Sequence, residues 1–200
     1  MKKVFGKHFS LILGIALSLL FFNSCTSLKN KSALRPVYIT NTKKINLLEP
    51  QYTERNVDEI QLLNGSFGDT SFSLLSYTEI NENGINLALF NDFGTDMGNL
   101  SYDGAIVIFD SAYFPSNLPG EYIAADIQNA FYDETALRAN YESAKLRFES
   151  EASVNEKSET IQLRRIYDGK NLIEEITVTP NEVTVKNHLR GYSYSLICSQ

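Results

Sequence analysis

The residues able to do chemistry are few and scattered along this chain. His188 stands between Asn187 and Leu189-Arg190. Hydrolysis through a serine or cysteine needs a histidine base held by a third group. This stretch supplies none, so His188 reads as a turn or surface histidine, and a hydrolase built on it is the third of three readings. Glu174 and Glu175 adjoin on a predicted strand and so point to opposite faces, which rules out an acid–base pair between them. Arg164 and Arg165 alternate in the same way, with one expected to be buried against a carboxylate. Asp92 and Asp96 lack calcium-loop spacing, and the chain has no His/Cys cluster. Each glycine falls at a predicted turn, not in a phosphate-cradling loop. The expectation is a protein that is not an enzyme and holds no metal and no cofactor.

Cys25 is a different matter. Lys2, Lys3 and Lys7 make a basic start, and Leu11 to Phe22 is apolar. That segment is too short for a stable transmembrane span and suits an export signal. It runs into Phe22-Asn23-Ser24-Cys25, which resembles the lipobox of bacterial lipoproteins, where the signal is cut before a cysteine that then carries a diacylglyceryl group. Phe22 and Asn23 depart from the usual Leu and small residue, and the alternative is a plain secretory signal with a chance cysteine. The lipobox reading makes residues 1–24 a signal peptide and Cys25 the lipid attachment site. Cys198 is then left without an intrachain partner. In an oxidising compartment it is tolerable as a small buried hydrophobe, and Tyr192, Tyr194, Leu196 and Cys198 do alternate onto one strand face. Thr26, not Asp, follows Cys25, which favours the outer membrane, with the protein lipid-anchored on its periplasmic side.

Charge is uneven. Without residues 1–24, 15 Lys+Arg remain against 24 Asp+Glu, formally −9. Residues 26–50 carry Lys29, Lys31, Arg35, Lys43 and Lys44 against Glu49, a formal +4, which leaves −13 on the rest. Residues 25–50 therefore read as a lipidated, basic tether, and each basic residue near an anionic leaflet contributes about 1 kcal/mol. A solvated linker that happens to be Lys-rich is the alternative. The acidic domain, residues 51–200, argues against nucleic acid as a partner.

Within that domain nearly every segment reads as a β-hairpin. Ile60 to Phe67 meets a Gly68-Asp69 turn, and Phe72 to Ile80 meets Asn83-Gly84, a type I′ hairpin signal. Ile85 to Leu89 and Leu100 to Tyr102 follow. Ala105 to Phe109 is apolar on both faces, which predicts a central strand covered on both sides. Tyr102-Asp103-Gly104 and Tyr167-Asp168-Gly169 read as two hairpin turns of one type. Between the two runs of strands, Ile123, Ile127, Ala130 and Phe131 form one helical stripe after Pro119. A second short helix is expected over Glu134 to Tyr141. Strands resume at Lys145 to Glu149, then Ile161 to Tyr167, Leu172 to Val178, Val183 to His188, and Tyr192 to Cys198, with Ala152 to Glu159 as a polar loop. The fold class is mainly β (α+β): a curled antiparallel half-barrel of about nine to ten strands, with a helical insertion covering its concave face.

Phe114-Pro115-Ser116-Asn117-Leu118-Pro119-Gly120-Glu121-Tyr122-Ile123-Ala124-Ala125-Asp126-Ile127-Gln128 resembles the core motif of a bacterial lipoprotein family, domain of unknown function 3261. Arg165 to Gly169, Val183 to Tyr192 and Leu100 to Gly104 fit the same family, and the likeness covers about residues 57–198. Its members lack an assigned biochemical role. The resemblance implies a strand–helix–strand order like the half-barrel of the lipoprotein carrier LolA and receptor LolB, and an association with clusters that make aryl-polyene or other lipid-like products.

A curled sheet under a helix and an aromatic loop can enclose an apolar cavity. Its expected lining is Phe72, Leu74, Leu87, Leu89, Ile106 and Ile108 from the strands. The helix adds Ile123, Ile127 and Phe131, and the last strand adds Tyr192 and Tyr194. Tyr113, Phe114 and Leu118 would form the gate. The same residues could simply pack as core. Two readings follow: a membrane-anchored lipoprotein that binds a lipid or other hydrophobic small molecule (an acyl chain, a lipoprotein lipid or a polyene-like product), or a structural lipoprotein with a solid core that docks an envelope protein partner.

Overall fold

Alternating apolar side chains build the strands, and their register decides which face becomes core. The computed structural model describes residues 36–111, 113–114 and 119–198. The signal segment, Cys25 and Leu118 lie outside the described residues. A short hairpin pairs β1 (Val37–Tyr38) with β2 (Lys44–Ile45), and a single 3-10 turn spans Pro50–Tyr52. Five strands then run as a meander: β3 (Val57–Phe67), β4 (Thr70–Asn81), β5 (Gly84–Phe90), β6 (Asp96–Tyr102) and β7 (Val107–Asp110). Helices α1 (Gly120–Phe131) and α2 (Glu134–Ser143) follow. A second meander closes the chain: β8 (Arg147–Val154), β9 (Thr160–Asp168), β10 (Asn171–Val178), β11 (Glu182–Asn187) and β12 (Tyr192–Cys198).

The two meanders join where β12 pairs antiparallel with β3. This gives one ten-stranded sheet in the order β7-β6-β5-β4-β3-β12-β11-β10-β9-β8. Among the described residues no ladder joins β7 to β8, so the sheet is open. It is also curled. β7 and β10 stand seven spacings apart, about 34 Å in a flat sheet. Helix α1, about 18 Å long, nevertheless packs against both.

The concave face is the core. Leu63, Leu74, Leu87, Leu100, Ile166, Ile176, Val185 and Leu196 are buried there with Ala124, Ile127, Ala130 and Phe131 of α1. Pro119 starts α1, and Ala124, Ala125 and Ala130 favour it. Its C-terminal end is held by Arg164, whose Nη1 donates to the carbonyls of Asn129 and Tyr132 at 2.9 Å each, while Nη2 reaches Glu54 at 3.2 Å. A cation suits that end of a helix dipole. Arg164 is thus the buried member of the Arg164–Arg165 pair, and Arg165 pairs on the other face with Glu175. Helix α2 starts on Asp133, whose side chain accepts from the Ala136 amide at 2.7 Å.

Several expectations are corrected. The segment Ala105–Phe109 is not a central strand: β7 is the short edge of the sheet. Only Val107 and Phe109 face the core, whereas Ile106 and Ile108 are 61% and 60% exposed on the other side. A two-faced apolar run reports side-chain types and not how many neighbours the strand finds. The domain also begins earlier than residue 51. Val37, Ile39, Ile45 and Leu47 are buried in the core cluster, so residues 37–47 belong to the domain and not to a tether. Asn81 pairs with Gly84, which puts the first tight turn at Glu82-Asn83. The two Tyr-Asp-Gly turns differ: Tyr102 pairs with Val107 across a wide loop, and Asp168 pairs with Asn171 across a tight one. β8 continues to Val154, through residues read as loop.

Candidate functional site

The concave face has two unlike ends. At one, strand ends and the β7–α1 loop bring aromatic rings together. The Phe114 ring meets Phe72 edge-on at 5.2 Å and Tyr113 at 5.1 Å, and lies 6.2 Å from Phe109. Each ring has a backbone reason for its place. Phe72 lies over Gly65, where a Cβ would fall 2.3 Å from the ring. Gly120 lets the start of α1 settle on Phe109, whose Cβ would stand 2.6 Å from an added methyl. Ser111 Oγ accepts from the amides of Tyr113 and Phe114 at 3.1 Å each and donates to the Met97 carbonyl. Phe72, Met97, Phe109, Phe114, Ile123 and Tyr194 are all half-buried against the core. Together they form a mouth that is apolar but not sealed. A shallow depression of about 480 Å³ near it opens mainly on the opposite face of the sheet, where Asn64, Ser66, Ser71, Thr184, Ser193 and Ser195 line it.

Under the middle of α1 lies a buried polar floor. Asp126 projects from the helix among Ala124, Ala125 and Ile127, and its Oδ2 accepts from the hydroxyls of Tyr192 at 2.8 Å and Tyr194 at 3.4 Å. Glu174 sits at a register shift in β10, where Ile173 and Glu174 are buried side by side. Its two oxygens accept from Asn129 Nδ2 and Asn187 Nδ2, both at 2.9 Å, and Tyr141 donates to Asn129 Oδ1 at 2.9 Å. The two carboxyls lie close enough for each to act on the other electrostatically. Burial, then the Glu174 charge, pushes Asp126 well above the carboxylate range, and burial also raises Glu174. Both shifts favour a protonated carboxyl at this floor. Burial raises the Tyr192 and Tyr194 hydroxyls as well, so they stay donors. This chemistry fixes positions.

A second polar strip lies across β3, β4 and β12. Glu59 Oε1 accepts from Gln61 Nε2 at 3.1 Å and from Cys198 Sγ at 3.3 Å, and Ser76 bonds Thr78 at 3.0 Å. Cys198 shares the face of Tyr192, Tyr194 and Leu196, but it is half-buried and not fully enclosed. Burial and Glu59 raise its thiol, which keeps it protonated.

Of the residues expected at a cavity, Phe72, Phe114, Ile123, Tyr192 and Tyr194 come together at the mouth and floor, with Tyr113 exposed at the edge. Leu74, Leu87, Leu89, Ile127 and Phe131 lie deeper and are packed. Ile106 and Ile108 lie on the opposite face, because they alternate with Val107 and Phe109. Asp126 and Glu174 were missed, and the available signal was a carboxylate inside an apolar helical stripe. His188 sits at the end of β11 and lines a separate depression with Thr40 and Asp168.

The sequence model of a family described as a protein of unknown function (DUF3261) matches residues 58–196. No curated protein matches the chain.

Proposed function

This chain belongs to the DUF3261 family, and we propose that it is a non-enzymatic lipoprotein, anchored through Cys25 to the outer membrane and facing the periplasm, that binds a hydrophobic ligand. The observation that carries this reading is the mouth. Six apolar or aromatic side chains from β4, β6, β7, the β7–α1 loop, α1 and β12 converge there and keep exposed surface. Each methylene of an acyl or polyene-like tail buried among them contributes about 0.8 kcal/mol. Phe114 and Tyr113, with Leu118 following in sequence, act as the gate. Likeness to the LolA and LolB half-barrel supports the reading as fold analogy alone.

A second reading has one observation in its favour. Leu74, Leu87, Leu89 and Ile127 are fully packed, as they would be in an assembly protein with a solid core and an acidic docking surface. Solvent extraction of the chain purified from native-like membranes, followed by mass spectrometry, separates the two. A stoichiometric lipid or polyene beyond the Cys25 acyl chains is expected. An extract holding only those chains removes the ligand-binding reading and leaves the assembly one.

A further inference from the structure

Alternating strand directions sort every connection onto one of two rims. The β3–β4 turn, the β5–β6 turn, the β7–α1 loop, and the β9–β10 and β11–β12 turns all fall on the same rim as the mouth. Three aromatic side chains project from three separate tips of this rim: Phe93 is 93% exposed, Phe67 62% and Tyr113 45%. The other rim ends in Glu82-Asn83, Asp103-Gly104, Asn155–Glu159 and Pro180-Asn181. Ile106 and Val154 are exposed there, beside polar turns, and Tyr52 is 39% exposed next to them, but no phenylalanine among the described residues projects from this rim.

We propose that the mouth rim rests on a lipid bilayer, with Phe67, Phe93 and Tyr113 inserted into its interface. Isolated aromatic side chains on separate tips suit the depth of a headgroup boundary better than a flat protein surface, which draws on contiguous patches. The chain path agrees. Tyr38, two residues after the first described residue, accepts a hydrogen bond through its carbonyl from Arg190 in the β11–β12 turn, and Lys43 pairs with Asp168 at the end of β9. The domain is therefore entered at this same rim. Ten residues, 26–35, separate it from Cys25, a reach of at most about 36 Å. A lipid on Cys25 would hold these tips within range of the membrane, and in this respect the inference rests on the anchored reading. Asp69 and Asp92 flank the tips while Lys170 and Arg190 lie elsewhere on the rim, so the contact does not depend on anionic lipid. A ligand would then pass between bilayer and mouth without crossing water.

The chain has no tryptophan, which makes a single introduced one a clean probe. Phe93→Trp on the mouth rim and Asn83→Trp on the other rim replace exposed residues, so both variants should fold. Each full-length protein, purified from membranes, is reconstituted into phosphatidylcholine vesicles with brominated acyl chains and followed by tryptophan emission. The expected result is a blue shift and quenching for F93W and neither for N83W. Vesicles that float with the protein while F93W stays unquenched overturn the rim contact and leave the Cys25 anchor standing. Protein that fails to float with F93W unquenched overturns both. Quenching of F93W without Cys25 acylation supports the rim contact and removes the anchor.

Discussion

The floor and the mouth are built on the same concave face, and they solve opposite problems. At the floor, Asp126 and Glu174 are fully enclosed, and their oxygens are bonded by Tyr192, Tyr194, Asn129 and Asn187. At the mouth, Phe72, Phe109 and Phe114 meet edge-on or tilted and keep exposed surface. A saturated buried network has one good geometry, because any shift strands a donor or acceptor in low dielectric. Aromatic contacts tolerate displacement at a cost of about 0.5–1.5 kcal/mol. The floor therefore fixes how α1 crosses the sheet, whereas the mouth can shift at lower cost.

The sharpest way to break this comparison is at the floor. Glu174→Ala leaves the buried amides of Asn129 and Asn187 without their acceptor and should cost about 3–5 kcal/mol, read as a lower urea midpoint. Next in size is Ile127→Trp. It overpacks a fully buried position, which should cost about 1–3 kcal/mol. Ile123→Trp, one turn nearer the mouth, should cost less than about 1 kcal/mol because its site is half-open.

The floor also sets a pH dependence. Unfolded, its two carboxyls titrate near pH 4. Folded, both hold protons to higher pH. Between those values the native state binds more protons than the unfolded chain, so stability falls as pH rises. The contribution is complete below about pH 4 and is lost as pH climbs through the folded values. Asp126→Asn should flatten that slope in urea titrations run across the acidic range. The smallest expected effect lies off both sites: Ile106→Ser and Ile108→Ser should each stay within about 0.5 kcal/mol of the parent.

The fold was legible wherever the signal is local. Period-2 runs placed the strands, and Ile123, Ile127 and Phe131 placed α1 on the sheet. The same alternation correctly split Glu174 from Glu175. It could not show that Glu174 would find Asp126, since that meeting needs both the register shift in β10 and the crossing of α1. Strand order was hidden for the same reason. The β12–β3 pairing puts β7 at an edge, and no local pattern in Ala105–Phe109 reports it. The mouth was partly legible: Phe72, Phe114 and Ile123 were expected together, but the glycines that seat the rings, Gly65 and Gly120, act through distant partners.

The most direct test titrates an environment-sensitive fluorescent fatty acid into the parent chain, Ile123→Trp and Ile127→Trp, after delipidation, with folding checked by circular dichroism. Saturable binding by the parent that Ile123→Trp abolishes, with Ile127→Trp still binding while folded, is the expected result. Equal uptake by the parent and Ile123→Trp, or none by the parent, would contradict the mouth as the binding site.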